Sequence, residues 1–394
     1  MTFVHQQFLK RTLNSIDPVF TRTFLPWVVR HPRYLHASIR LGRSYRWAEN
    51  KRAQYRERGL QVPSVMILSV TSTCNLVCHG CYAAASRRST NSANEQVPRP
   101  SRDMNLEKWR SIISQAKKLG VFGFIIAGGE PFLCEGIIDL CFEFNDLFFL
   151  FVTNGTCINK SDFTKLRKAS NIAIVVSLEG DRKNTDTRRG PGVHDKAIDS
   201  LKRLWRIGIL TGISATITQD NFQFWMNPKH LDKLVDRGVH IGVFIEYIPS
   251  PEPSTPSRQS FSPCSDSAMM LTPPQRKQFR DHVVQYRGNN PIFLIHSPND
   301  EQFFGGCVSA GRGFVHVTPS GDLTACPVSN LATHNLNESS LKQGLASPLF
   351  RKIRERKHIQ ESHELPCALL SHRDEVLELA RSVGAYNTDT RNAV

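Results

Sequence analysis

From residue 64 onward, apolar stretches of strand length alternate with amphipathic stretches of helix length. Strands are predicted over residues 64–70, 122–127, 147–152, 172–178, 210–217 and 241–248, with helices between them over 106–119, 136–144, 161–168, 195–207 and 228–237. The strands read as near-continuous runs of Val, Ile, Leu and Phe. Such strands are covered on both faces, as in a parallel sheet wrapped by helices. Six of these units predict an α/β fold, a (βα)6 partial TIM barrel.

The flanks read differently. Residues 2–59 mix aromatics and aliphatics with many arginines, which predicts short amphipathic helices broken at Pro18, Pro26 and Pro32. They form either a helical cap on the barrel or a basic, aromatic-rich surface helix that rests on anionic membrane. Residues 249–274 are rich in Pro and Ser and predict a loop or linker over the barrel mouth. Beyond it come a helix over 274–287, a strand over 292–296, and a hairpin of 314–317 with 323–325 through Pro319-Ser320-Gly321-Asp322. Helices over 340–357 and 371–383 flank Pro366-Cys367. The expected organisation is a helical basic extension (1–60), the barrel (61–250), a loop and connecting helix (251–290) and a small α+β module (291–394).

Composition narrows the setting. Hydrophobic content of 40% and charged content of 22% are ordinary for a globular protein. The formal net charge of +15 suits nucleic acid, anionic lipid or an acidic electron donor, but no nucleic-acid-binding motif is present, so nucleic acid is a minor option. The longest apolar runs, residues 24–29 and 147–152, are too short to span a membrane, and the N-terminus lacks an uninterrupted signal-peptide core. The expected location is the cytoplasm, with peripheral membrane contact as the alternative. Ten cysteines scattered among tight motifs favour a reducing compartment and metal binding over a disulfide scaffold.

Ligand sites in parallel α/β sheets lie at the carboxyl ends of the strands, and the chemistry-bearing motifs fall there. Cys74, Cys78 and Cys81 follow the first strand; Gly128-Gly129-Glu130-Pro131 follows the second and Thr153-Asn154-Gly155 the third. Ser177 and Glu179 end the fourth, Thr216 closes the fifth, and Glu246-Tyr247-Ile248-Pro249 the sixth. Three thiols this close can wrap one iron–sulfur cube, bind a structural zinc with His79 as fourth ligand, or remain free. A cube held by three thiolates keeps one iron open.

The Cys74, Cys78 and Cys81 spacing, with Gly128-Gly129-Glu130-Pro131 at the next strand end, resembles the radical S-adenosylmethionine (SAM) superfamily. The resemblance implies a [4Fe-4S] cluster on Cys74, Cys78 and Cys81 whose open iron chelates SAM, and contact of the Gly128 to Pro131 segment with the methionine amino group. It further implies that Ser177 and Glu179 hold the SAM ribose, that Asn154 and Thr216 line the rim, and that Arg189 lies near the SAM carboxylate. A solvated basic loop at Arg188-Arg189 and a substrate-facing Glu179 are the alternatives at those positions. The family's aromatic residue before the third cysteine is replaced by Gly80, with Tyr82 after the cysteine instead, which leaves the thiolates intact and puts the shielding of the adenine in question.

Cys307, Gly321, Cys326 and Cys367 resemble the C-terminal SPASM module, or its shorter twitch form. That likeness implies a second, auxiliary [4Fe-4S] cluster whose fourth ligand is missing, is a nearby residue such as Cys264, or is the substrate; buried structural cysteines are the alternative. Cys134, Cys141 and Cys157 are expected in the core. The implied activity is reductive cleavage of SAM to a 5′-deoxyadenosyl radical that abstracts hydrogen, with a flavodoxin- or ferredoxin-type electron donor. A peptide or small metabolite is the expected substrate and a lipid chain at the membrane surface the alternative. A non-enzymatic zinc or iron–sulfur protein is the alternative of another class.

Overall fold

The computed structural model describes residues 23–83, 88–89, 103–249, 267–362, 365–390 and 392–394. Pro18, Cys264 and most of the 249–274 loop lie outside them. Helices α1 (residues 23–30) and α2 (Arg33–Glu57) lead into β1 (Val65–Ser69). Two short strands, β2 (Thr73–Cys74) and β3 (Arg88–Ser89), then pair with each other. The barrel continues as α3 (Leu106–Leu119), β4 (Gly123–Ala127), α4 (Ile137–Glu143), β5 (Phe148–Thr153), α5 (Lys160–Leu166) and β6 (Ile172–Ser177). It goes on through α6 (Arg182–Arg189), α7 (Val193–Arg206), β7 (Leu210–Ile217), α8 (Phe222–Met226), α9 (Pro228–Val235) and β8 (Ile241–Glu246).

Local chemistry explains these boundaries. In α3, Asn105 caps the first turn by accepting from the Lys108 amide at 3.0 Å, and Gly120 ends the helix in the left-handed region. Between these caps, Trp109, Ile112, Ile113, Ala116 and Leu119 fall on one face and are buried against the sheet.

After α10 (Pro273–Asn289), β9 (Phe293–Ser297) pairs parallel to β8 and extends the barrel sheet by a seventh parallel strand. At the other edge, β10 (Phe314–Val317) pairs parallel to β1, and β11 (Asp322–Thr324), β12 (Leu331–Asn335) and β13 (Tyr386–Asn387) add antiparallel strands. Among the described residues one eleven-stranded sheet therefore runs β13-β12-β11-β10-β1-β4-β5-β6-β7-β8-β9, with no hydrogen-bonded closure between its ends. The barrel is partial, as expected, and the C-terminal hairpin belongs to the same sheet.

Helices α11 (Leu341–Leu345), α12 (Pro348–Glu355), α13 (Ala368–Ser371) and α14 (Arg373–Arg381) complete the module. The single helix expected over 340–357 is two: Ser347 caps a new start at Pro348, because a proline is favoured in a first helical turn and excluded from an interior. The helix expected over 371–383 likewise divides into α13 and α14. Pro26 does not break its helix, since residues 23–30 are helical on both sides of it, whereas Pro32 does separate α1 from α2.

Register assigns the faces of the sheet. The side chains of Phe148, Leu150, Val152, Ala173, Val175 and Val243 pack with Trp27 and Tyr34 of α1 and α2, while the opposite face packs on the helices. The Trp27 ring lies tilted by 55° against Tyr34 at a centroid distance of 4.1 Å and meets His240 edge-on. The N-terminal helices thus fill the floor of the concave face and leave the carboxyl ends of the strands as its opening. Among the described residues, no helix is long and apolar enough to cross a membrane.

Candidate active site

At the carboxyl end of β1 the chain turns into the loop that carries Cys74, Cys78 and Cys81. The Gly128-Gly129 segment holds this loop by backbone pairing: the Gly129 amide donates to Thr71 O and the Glu130 amide to Thr73 O, each at 2.8 Å. A Cβ on Gly129 would lie 2.1 Å from Thr73 O, so only glycine permits this contact. The close approach predicted for a ligand is here made to the thiol loop itself.

Glu130 is fully buried. Its Oε1 accepts from Thr153 Oγ1 at 2.6 Å and its Oε2 from the Asn154 amide at 2.8 Å, yet burial outweighs these bonds and pushes its pKa up to about 7. Asn154 in turn donates through Nδ2 to Asn75 Oδ1 at 2.9 Å, and Asn75 donates to Thr156 Oγ1 at 2.8 Å. Pro131 starts the short 3-10 turn that follows. Glu130, Pro131 and Asn154 are thus brought to the thiol loop by one buried network.

Opposite them lies a second carboxylate. Glu179, 1% exposed, accepts from Arg188 Nη1 and Arg189 Nε, each at 2.7 Å, and its Oε2 accepts from the Thr216 amide at 2.8 Å. Burial alone would raise its pKa, but the two guanidinium groups outweigh burial and hold it below the usual carboxylate range. Arg188 and Arg189 are only 11% exposed, which corrects the solvated-loop alternative: α6, unforeseen from the sequence, folds them inward onto Glu179. The thiol loop rests on this pair. The His79 amide donates to Arg188 O at 2.9 Å, and Arg189 Nη1 lies 4.0 Å from Cys78 Sγ.

The thiols feel these surroundings. Burial raises the pKa of Cys74 to about 11, although the Leu76 amide donates to its sulfur at 3.5 Å. Burial also raises Cys78, opposed first by Arg189 and then by Arg188. Loss of thiol protons to iron is favoured by such cations, so the residues present fit an anionic iron–sulfur group at this loop. Among the described residues no three His, Cys, Asp or Glu side chains close around the position of a single ion; a cube spreads its thiolates over a wider span.

Ser177 and Thr216 project from β6 and β7 into the concave face, as the pairing of Ser177 with Ser214 and of Thr216 with Ile245 requires. Ser177 Oγ lies 3.2 Å from Ser214 Oγ. The Tyr247 ring, missed as a site residue, comes from the end of β8 to within 2.6 Å of where a Gly80 Cβ would stand. The absence of a side chain at position 80 therefore admits an aromatic ring from the other side of the barrel.

The second thiol group is assembled from three elements. Cys307 follows the 3-10 turn Asn299–Phe304 and donates its amide to Gln360 O at 2.7 Å. Cys326 follows β11, whose hairpin turns at Gly321 with φ of +91°. Cys367 caps α13. All three are buried, and burial raises each pKa, that of Cys367 to about 11. Backbone amides face two of the sulfurs: those of Val328 and Ser329 at Cys326, and those of Leu369 and Leu370 at Cys367. Amide donors of this kind stabilise thiolates, so these residues also fit an iron–sulfur cluster. Cys141 is buried in α4, and Cys134 and Cys157 are half-buried in the barrel; all nine described cysteines are free.

A buried hydrogen-bond chain joins the two thiol groups. Thr324 Oγ1 donates to Cys326 O at 3.1 Å, so His316 Nδ1, 2.8 Å away, must donate to Thr324. Burial lowers the His316 pKa to about 3, so the ring is neutral and its Nε2 accepts from Ser69 Oγ at 2.8 Å. Ser69 is in turn bonded by the hydroxyl of Tyr82, beside Cys81; that hydroxyl is sealed although the flank of its ring is exposed.

A family model described as the Radical SAM superfamily matches residues 68–223. The chain is 25% identical over 315 residues to the mycofactocin maturase MftC of Mycolicibacterium smegmatis, covering 76% of this chain and 74% of that one. It is 24% identical over 187 residues to the sporulation killing factor maturation protein SkfB of Bacillus subtilis, covering 47% and 42%. Among solved structures, Streptococcus suis SuiB bound to S-adenosylmethionine superposes with a TM-score of 0.59 at 20% identity, over 77% of this chain and 70% of that one. Native anSMEcpe with bound AdoMet gives 0.54 at 16% identity, over 80% and 96%.

Proposed function

Because this chain is a radical SAM enzyme, with a [4Fe-4S] cluster and SAM as its cofactors, we propose that it modifies a peptide in a biosynthetic pathway. One observation carries the reading: the likeness to MftC, a maturase, extends over 315 residues, well beyond the residues 68–223 that the family model matches. SkfB is also a maturation protein, and SuiB has been solved with its precursor peptide SuiA. The non-enzymatic alternative falls away with the family.

In this reading Cys74, Cys78 and Cys81 hold the cluster, and Cys307, Cys326 and Cys367 hold an auxiliary one. When bound, SAM and the reduced cluster supply a 5′-deoxyadenosyl radical for C–H abstraction. The chain's own residues position and shield it. Gly128, Gly129, Glu130, Pro131 and Asn154 fix the thiol loop and offer backbone groups to the methionine end. Arg189, held by Glu179, sets a positive charge beside that loop. Ser177 and Thr216 face the ribose from the concave wall. The floor filled by Trp27 and Tyr34 supports substrate entry from the carboxyl ends of the strands, with water excluded below.

Deuterium transfer tests the substrate class. The anaerobically reconstituted enzyme is given SAM, reductant and deuterated cell extract split into peptide, small-metabolite and lipid fractions. Deuterium is expected in 5′-deoxyadenosine from the peptide fraction, and label from only the metabolite or lipid fraction would reassign the substrate.

A lipid reading has one specific support: Leu25, Val29, Leu35, Ile39 and Trp47 are exposed on the arginine-rich helices α1 and α2. Because Trp27 and Tyr34 of the same helices are structural, the informative variants place glutamate at Leu25, Val29 and Ile39. Loss of binding to anionic liposomes would support membrane contact, and equal partitioning would remove it. The net charge of +15 also suits an acidic flavodoxin- or ferredoxin-type donor. Its electron-transfer rate should then fall steeply with added salt, and a salt-insensitive rate would remove this assignment.

A further inference from the structure

The three C-terminal thiols differ in what their backbones are tied to. The Cys307 amide donates to Gln360 O at 2.7 Å, and Cys367 O accepts from the Ser371 amide at 3.0 Å, so both are fixed within the module. Cys326 is tied to the barrel as well. Its carbonyl oxygen accepts from the Ser329 amide and from Thr324 Oγ1, each at 3.1 Å, and behind Thr324 stand His316 of β10 and Ser69 at the end of β1. Register dictates this line. His316 is the antiparallel partner of Thr324 and the parallel partner of Ile67, and Ser69, two residues past Ile67, returns to the same face.

Packing alone does not ask for these side chains. Val315 and Val317, the neighbours of His316 on β10, are buried and apolar, whereas Ser69, His316 and Thr324 are buried with polar groups that are costly unless each finds a partner. Each finds one. Because the Thr324 hydroxyl gives its one proton to Cys326 O, it can only accept from His316 Nδ1, and the other ring nitrogen then faces the Ser69 hydroxyl. A buried chain in which every member is satisfied holds one arrangement and resists others.

We propose that His316 is a positioning residue for the auxiliary cluster: anchored on Ser69 of the barrel, it turns the Thr324 hydroxyl onto Cys326 O and so helps to set the potential of the cluster that Cys326 binds. This rests on the auxiliary-cluster reading above. A donor on the carbonyl of a ligating residue compensates part of the negative charge gained on reduction, and therefore raises the potential. The strand that leads to Cys74, Cys78 and Cys81 thereby takes part in tuning the second thiol group.

The test uses the full chain with Cys74, Cys78 and Cys81 replaced by alanine, so that only the auxiliary group gives a signal. This parent is reconstituted anaerobically with iron and sulfide, and its redox titration is followed by electron paramagnetic resonance. Thr324→Val, which removes the donor at nearly constant volume, should shift the reduction equilibrium about tenfold toward the oxidised form, or about 59 mV for one electron. His316→Leu should lower the potential in the same direction. His316→Gln, whose amide can donate to Thr324 and accept from Ser69, should restore the parent value. An unchanged potential in Thr324→Val or His316→Leu would overturn the proposal, and so would a glutamine variant that matches the leucine one, since the ring would then only fill space. Should His316→Leu fail to fold by circular dichroism, Ser69→Ala, which frees the ring from the barrel, takes its place with the same expectation. A parent that binds no iron and sulfide would overturn the auxiliary-cluster reading and the proposal with it, an outcome distinct from iron bound at an unchanged potential.

Discussion

In the barrel loop, Cys74, Cys78 and Cys81 hang from one short stretch at the end of β1, two of them half-buried and facing a pair of arginines. In the C-terminal module, Cys307, Cys326 and Cys367 arrive from three separate elements and all are buried. The first arrangement is positive and opens to the concave face of the sheet. The second is sealed. A loop that must admit a diffusible cofactor needs access and a counter-charge for thiolates, whereas a site for a resident cluster needs enclosure and leaves compensation to the iron.

The largest effect expected from this contrast separates the two groups. Alanine at Cys74, Cys78 and Cys81 should lower 5′-deoxyadenosine formation by ~10³-fold or more, toward the uncatalysed rate, because the radical-generating machinery is gone. Alanine at Cys307, Cys326 and Cys367 should leave SAM cleavage in place and remove product. Chromatography of 5′-deoxyadenosine with mass spectrometry of the substrate reads both, and the reverse pattern would break the comparison.

A smaller effect concerns the counter-charge. Arg189→Leu leaves Glu179 buried with one cation fewer, and removing one partner of a buried pair costs about 3 kcal/mol. Chemical denaturation of the apoprotein measures it. A midpoint unchanged from the parent would show that Arg188 suffices and that Arg189 acts only on the thiol loop.

The smallest lies on the seam between the two groups. His316 is neutral when folded, with its pKa near 3, but ordinary when unfolded, so the unfolded chain binds more protons between about pH 6.5 and 3. Its contribution to stability is complete above pH 6.5 and declines as pH falls, by about 2 kcal/mol at pH 5. Denaturation curves at pH 7.5 and 5 should show that part of the decline vanish in His316→Gln. An equal decline in both proteins would assign it to other groups.

Much of the fold could be read from local pattern. The strand over 210–217 and the helix over 106–119 coincide with β7 and α3, because a continuous apolar run and a capped amphipathic face are properties of adjacent residues. The Cys74 to Cys81 loop and its glycine partner were legible for the same reason. The buried chain through Ser69, His316 and Thr324 was not, since its members come from stretches about 250 residues apart. Tyr247 and the inward fold of Arg188 and Arg189 were hidden likewise. Each depends on which strand ends face one another across the barrel, and that is a consequence of topology. The parallel pairing of β9 to β8 was also missed, because a strand's sequence specifies its burial better than its neighbour.

The pairing of β10 with β1 has a kinetic consequence. Val65 stands opposite Phe314 and Leu68 opposite Val317, so the stretches leading to the two thiol groups are rungs of one ladder spaced by about 4.8 Å. Clusters held at both groups would sit at a separation tied to that register. Electron transfer between them would then cross a distance that folding has already fixed, and its rate would answer to the two potentials.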